Sequence, residues 1–255
     1  MSTILFGRLI FIWRHRDNDF LFWQAQPPAA TCFPLGRRLY SEYAPMPKIS
    51  AFQKNADLYD TWFQTNHWTY AAELQAIRTL LPTGGRKVEI GVGTGRFAGP
   101  LEIPVGLEPS DRMAALASAR GIMVVAGVAE HLPFQTAAFD SVVLITTICF
   151  VDDILQTFRE AYRILADGCC LVAMLDKNSR LGRYYEQHRR QSNFYYEATF
   201  FSVDTTVALL RQAGFYDFRF TQTIYRDPAE INSAEPVDSG YGRGLFVVIR
   251  GRKEV

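Results

Sequence analysis

The chain has 255 residues, 48% of them hydrophobic, and a formal net charge of +1. That length suits one α/β domain with a well-buried core and a small addition, and the near-neutral charge leaves no electrostatic footprint for nucleic acid and no acidic solvating tail. No apolar run of about 18 residues predicts a membrane span, and Cys32, Cys149, Cys169 and Cys170 form no Cys-x-x-Cys pair, which predicts reduced thiols, a cytoplasmic setting and no metal site.

Residues 1–45 are a different kind of sequence. They carry many large aromatics, among them Phe6, Phe11, Trp13, Phe20, Phe22 and Trp23. Arg8 splits two apolar runs, which argues against a signal-peptide core. Pro27, Pro28 and Pro34 interrupt any long helix. Three readings stay open: an extension ahead of a true start at Met46, a targeting leader, or an added element packed on the domain. Residues 1–45 are therefore set apart, and 46–255 are taken as the functional domain.

From Phe52 the pattern becomes regular. Tyr70, Leu74, Ile77 and Leu81 recur at helical spacing and predict a helix over 67–81, ended by Pro82-Thr83-Gly84-Gly85. A strand over 87–90 runs into Val88-Glu89-Ile90-Gly91-Val92-Gly93-Thr94-Gly95. Glycines at alternate positions let the backbone turn sharply and approach a ligand where a Cβ would collide. A helix is predicted from Arg96, aiming its free N–H groups at that ligand. Glu89 is an acid inside an apolar run, which points to a cationic or hydroxyl-bearing ligand. The dinucleotide fingerprint is not met, because Arg96 stands at its third glycine. A glycine-rich turn that binds nothing stays open on this loop alone.

The second strand, Val105-Gly106-Leu107-Glu108-Pro109-Ser110, ends in an acid that can accept both hydroxyls of a ribose. Ser110 reads as an N-cap, Asp111 as first turn, and Gly121 lies just past the helix end. Residues 123–126 and 140–146 make the third and fourth strands. Ile154, Leu155, Phe158, Tyr162 and Leu165 share one face of a crossover helix. A fifth strand follows at 171–175. Ser202 caps a helix through Ala213, stopped by Gly214, and two strands near 215–225 and 245–250 close the sheet. Near-continuous apolar strands alternating with helices predict a parallel sheet covered on both faces.

Further motifs are Gly127-Val128-Ala129-Glu130-His131-Leu132-Pro133-Phe134, Phe139-Asp140, and Arg163-Ile164-Leu165-Ala166-Asp167-Gly168. With the glycine loop and Glu108 they occur in an order that resembles the class I S-adenosylmethionine-dependent methyltransferases. The resemblance is to the type-11 small-molecule group related to quinone-biosynthesis enzymes, and it covers about residues 52–225. It implies a Rossmann-like, doubly wound, mostly parallel seven-stranded sheet with the last strand antiparallel. It also implies a small helical and aromatic cap from residues 52–81 and 177–201.

The implied cofactor is S-adenosylmethionine and the implied partner a small-molecule methyl acceptor, with no nucleic acid or membrane. Glu89, Gly91, Gly93, Thr94 and Gly95 would meet the amino-acid end of the donor, and Glu108 its ribose. Pro109, Ser110 and Met113 would flank that site, Ala129 and Glu130 would flank adenine, and Thr146 and Thr147 would face the methyl and the acceptor. Tyr59, Trp62, Phe150 and Tyr195 would contact the acceptor. His67 and His188 read as surface residues, and no catalytic base is assigned. Two positions depart from the family pattern. Val128 stands where relatives place the adenine-binding Asp, and Cys169 replaces a glycine before strand five. Val128 keeps one alternative open, a donor-binding protein without transferase activity.

Overall fold

The computed structural model describes residues 48–253, together with the backbone of two strands, β1 (Ser2–Phe6) and β2 (Leu9–Trp13), paired antiparallel. That hairpin belongs to a compact unit, Met1–Pro45, distinct from the unit Met46–Val255. The rest of the leader, on which its three readings turn, lies outside the described residues.

The second unit begins with α1 (Ser50–Thr65) and α2 (His67–Leu80), followed by β3 (Lys87–Ile90), β4 (Val105–Leu107), α3 (Asp111–Ala119) and β5 (Met123–Val125). Then come β6 (Phe139–Ile145), α4 (Ile154–Ile164), β7 (Leu165–Leu175), α5 (Arg180–His188) and α6 (Val203–Gln212). β8 (Phe215–Thr223), β9 (Asp238–Ser239) and β10 (Phe246–Lys253) complete it. The sheet order is β5-β4-β3-β6-β7-β10-β8-β9. β5, β4, β3, β6 and β7 pair in parallel, while β10 inserts antiparallel between β7 and β8. The seven expected strands are present, and the two-residue β9 on β8 makes an eighth.

Every residue of β3 is buried, as are Val142, Val143, Leu144 and Ile145 of β6. This is what near-continuous apolar strands covered on both faces require. Helix starts follow the side chains that can satisfy free N–H groups. Ser110 accepts from the Met113 amide at 3.4 Å, Asp153 from Gln156 at 2.9 Å, and Ser202 from Thr205 at 3.1 Å. Each such cap is worth about 1 kcal/mol.

Two elements differ from expectation. No helix forms from Arg96. Residue 100 is proline and has no N–H to give the Arg96 carbonyl, which instead receives the Tyr70 hydroxyl. Isolated helical bonds, Gly99 to Gly95 at 3.2 Å and Leu101 to Phe97 at 3.1 Å, flank this gap, and the segment remains a run of turns. The ligand loop therefore presents no full helix N-terminus. β7 also starts at Leu165 rather than near 171. Its register on β6 jumps between Phe139↔Leu165 and Ser141↔Cys169, so the expected turn is absorbed as a bulge.

Candidate active site

A cavity of ≈ 500 Å³ opens beyond the carboxyl ends of β3, β4 and β6. That volume is in the range of small-molecule sites, and the place is where open α/β sheets bind ligands. Gly91 and Gly93 after β3, Glu108 and Pro109 after β4, and Thr146 and Thr147 after β6 line one side. Met113, Val128, Ala129 and Glu130 line one end. α1, α2 and the segment after α5 supply the opposite wall.

Glu108 organises the polar end. Its Oε2 accepts the Gly93 amide at 2.9 Å and its Oε1 accepts the Ser110 amide at 3.0 Å. The side chain thus ties the glycine loop to the start of α3. Burial pushes its carboxyl up to about 7, against the lowering effect of these two bonds. Glu89 lies behind the loop, outside the cavity lining, and one of its buried carboxylate oxygens, Oε2, has no hydrogen-bond partner among the described residues. Burial and the Glu108 carboxylate hold Glu89 well above the usual range.

The glycines have separate tasks. Gly93, at φ +55°, faces the cavity, and a Cβ there would meet only the Tyr59 ring, at 3.7 Å. A Cβ on Gly95 would press on Ala117 and Ile122 at 3.2–3.3 Å, so this glycine serves the packing of α3. Neither Gly95 nor its buried neighbour Thr94 lines the cavity. Ser110 is also outside the lining. Its hydroxyl donates to Gln53 Oε1 at 2.6 Å besides capping α3. Thr147 spends its hydroxyl on the Ile90 carbonyl at 2.9 Å, so it presents shape more than a free donor. Thr146 holds a left-handed backbone, φ +51°, a strained state for a β-branched residue. The Glu130 carboxylate accepts the amides of Asp152 at 2.7 Å and Asp153 at 3.3 Å and so braces the turn before α4.

α1 is fastened across this loop by an ion-pair cluster that the sequence reading did not find. Asp60 Oδ1 accepts Arg96 Nε at 2.8 Å, and Oδ2 accepts Arg96 Nη2 at 2.6 Å and Arg120 Nη2 at 2.7 Å. Burial pushes the Asp60 carboxyl up, but the hydrogen bonds and charges of Arg96 and Arg120 outweigh it and hold it at about 2. The cluster's stabilisation is complete above the ordinary value of 3.8 and is lost as pH falls through about 2. Asp60→Asn is expected to cost about 1.5–3 kcal/mol, the range for hydrogen bonds to charged groups. Asp57→Asn, which breaks the exposed pair with Arg112, is expected to cost under about 1 kcal/mol. Denaturant melts of both variants check this, and equal costs would contradict the clamp.

The far half of the cavity is aromatic. Phe52 meets Phe150 edge-on at 4.8 Å and stacks on Phe194 at 5.7 Å, and Tyr59 meets Phe194 at 5.7 Å. Tyr195 lies parallel to Phe150 at 6.1 Å. The structure thus brings Tyr59, Trp62, Phe150 and Tyr195 to one cavity, together with Phe63, Tyr185 and Phe194 of the two segments expected to cover it, and with Phe52 and Phe97 as aromatic members not singled out from sequence. Thr69 and Glu73 of α2 were missed as well. The available signal was an acid at 73 inside the apolar stripe of Tyr70 and Ile77. His67 and His188 do not line the cavity, and His188 bonds the Tyr184 carbonyl through Nδ1 at 2.9 Å. Among the described residues no group of three or more His, Cys, Asp or Glu is placed to hold a metal ion, and no helix is long and apolar enough to cross a membrane.

Comparison with known proteins follows the same lines. Residues 88–173 match the family described as Methyltransferase domain. A solved protein of Thermotoga maritima, described as an S-adenosylmethionine-dependent methyltransferase and possible histamine N-methyltransferase, is 48% identical. The match covers 81% of this chain and 100% of that one, with a TM-score of 0.79. The Methanocaldococcus jannaschii protein MJ1123 is 37% identical over 206 residues, 80% of this chain and 100% of its own. More distantly, a rice chloroplast 2-methyl-6-phytyl-1,4-hydroquinone methyltransferase is 28% identical over 145 residues, 50% of this chain and 43% of its own. The chain belongs to the S-adenosylmethionine-dependent methyltransferases, and S-adenosylmethionine is its cofactor.

Proposed function

We propose that the protein transfers a methyl group from S-adenosylmethionine to a small-molecule acceptor in this cavity. The observation that carries the reading is the division of one cavity into a polar end and an aromatic end. The polar end fits the donor. Gly93 leaves open the space that a Cβ would fill, Glu108 has lone pairs beyond those its two backbone bonds use, and Glu89 keeps an orphaned oxygen close behind. In this reading Gly91, Gly93 and Glu89 serve the amino-acid end of the donor, Glu89 from behind the loop. Glu108 accepts the ribose hydroxyls. Pro109, Met113, Val128, Ala129 and the backbone at Glu130 enclose adenine. Thr94, Gly95 and Ser110 act by holding the loop and α3 in place. When bound, the donor supplies an electrophilic methyl on a sulfonium.

The chain's own residues then align the acceptor and exclude water. Tyr59, Trp62, Phe150 and Tyr195 would hold the acceptor against Thr146 and Thr147. The reading places the protein in the cytoplasm, supported by Cys149, Cys169 and Cys170, which are buried and free. Histamine, the acceptor suggested for the Thermotoga relative, belongs in any acceptor panel. Val128, with no hydrogen-bonding side chain at the adenine end, favours the second reading of a donor-binding protein. Calorimetric titration with S-adenosylmethionine, followed by transfer of labelled methyl to a metabolite panel, separates the two. Binding with transfer supports the proposal; binding with no transfer to any member supports the alternative.

A further inference from the structure

α2 crosses the cavity with two polar side chains turned into it. Thr69 is 1% exposed and its hydroxyl has no hydrogen-bond partner among the described residues. Glu73, one helical turn on, is 8% exposed and lines the cavity, and no described residue forms an ion pair or hydrogen bond with it. A buried carboxylate without a partner is costly, so a side chain of this kind either stays protonated or waits for a counter-charge. The cavity offers little of its own. Lys48 is the only Lys or Arg that lines it among the described residues, and its charge acts on Cys149 rather than on Glu73. The titratable groups facing Glu73 are the phenols of Tyr59 on α1, Tyr185 on α5 and Tyr195 beyond it, all neutral because burial raises them.

The position matters as much as the chemistry. The polar end of the cavity is built by loops after β3, β4 and β5. α2 packs on the other side, where Thr221 of β8 donates to the Ala76 carbonyl at 3.0 Å, one turn beyond Glu73. Leu175, Ile224 and Leu245, at the ends of β7, β8 and β10, line the same half. Glu73 and Thr69 therefore belong to the acceptor end.

We propose that Glu73, with Thr69 beside it, is the acceptor's anchor and proton acceptor, and that the acceptor is a small amine. The inference rests on the reading of the cavity as a methyl-transfer site. An ammonium entering the aromatic half supplies the missing counter-charge, and the rings around it add cation–π attraction. Burial raises the Glu73 carboxyl to about 8, which narrows the gap to an alkylammonium, ordinarily about 10, and so lowers the cost of passing a proton from nitrogen to the carboxylate. The freed nitrogen lone pair forms the N–CH3 bond while the methyl–sulfur bond breaks and its electron pair stays on sulfur. The neutralised sulfur is the leaving group. The methylated nitrogen carries the positive charge, and Glu73 passes its proton to solvent as product leaves. An acceptor carboxylate would meet like charge here, and a neutral alcohol would bring no counter-charge.

The test uses the full chain and three measurements. S-adenosylhomocysteine is titrated first by calorimetry. The product-loaded protein is then titrated with benzylamine, 2-phenylethylamine and butylamine, and with 4-ethylphenol and 2-phenylethanol as uncharged controls. Labelled methyl transfer to each compound is measured last. In the wild type at least one amine is expected to bind and accept methyl, and the controls are not. Glu73→Gln is expected to bind S-adenosylhomocysteine within about threefold of wild type, which also shows that it is folded. It should weaken amine binding at least about tenfold and slow transfer at least about 100-fold, as loss of a general base does. Glu73→Asp should restore part of both. Donor-product binding with no amine bound, methylation of 4-ethylphenol in preference to amines, or amine binding untouched in Glu73→Gln would overturn the inference and leave the methyltransferase reading standing. Failure of S-adenosylhomocysteine to bind the wild type would strike that reading instead.

Discussion

Gly93→Val is expected to abolish binding of S-adenosylmethionine while the chain still folds. The backbone at Gly93 lies at φ +55°, where a β-branched side chain costs about 1–3 kcal/mol. That is a fraction of the 5–15 kcal/mol by which domains are commonly stable. The protein itself leaves room, because the nearest atom to an added Cβ is a Tyr59 ring carbon at 3.7 Å. What the valine would fill is the space above the loop that the proposed site gives to the donor's amino-acid end. Gly95→Val should behave in the opposite way. Its Cβ would push into Ala117 and Ile122 at 3.2–3.3 Å, and the loss should appear in thermal melting before it appears in donor affinity. Calorimetry and melting on both variants form the check. A Gly93→Val protein that binds the donor within a few-fold of wild type would show that this loop is not the cradle.

Replacing Glu108 should have the next largest effect. Sequence alone suggests a loop-tip acid whose loss would leave folding little changed. The structure corrects this. Glu108 is buried and receives two backbone amides, so Glu108→Ala strands two donors at about 1–3 kcal/mol each, offset by relief of the buried carboxylate. Glu108→Gln is the gentler probe. It is expected to lose about 1.5–3 kcal/mol of donor binding, roughly ten- to a hundred-fold. In the proposed site the ribose hydroxyls donate to the ionised form, and burial pushes that carboxyl up to about 7 in the free protein. Donor affinity in the wild type should therefore fall as pH drops below about 7, and this dependence should vanish in Glu108→Gln. An unchanged dissociation constant in the variant would place the ribose elsewhere.

These residues also show what a sequence carries and what it withholds. β3 and β6 were legible because both faces are covered, which leaves an apolar run with few exceptions. The caps at Ser110 and Ser202 were legible because capping is local. The expected helix at Arg96 failed on a local fact as well, Pro100, whose effect on the Arg96 carbonyl was visible in the sequence and overlooked. Asp60 was a different case. Its partners Arg96 and Arg120 lie 36 and 60 residues away, and no spacing rule joins them. The split between Gly93, which faces the cavity, and Gly95, which packs against α3, depends on what each absent Cβ would meet. Glu73 stood in plain view on an apolar helical stripe. Its meaning came only when the fold sent Leu74 and Ile77 into the core and left Thr69 and Glu73 on the cavity wall.

The most direct measurement is a crystal structure of the protein with S-adenosylhomocysteine. The proposed site puts the ribose hydroxyls on the Glu108 carboxylate, adenine against Val128 and Ala129, the amino-acid end above Gly91 and Gly93, and the sulfur facing the aromatic half that contains Tyr59, Phe150 and Glu73. A nucleoside bound with its ribose away from Glu108, or with its sulfur turned from the aromatic half, would contradict it.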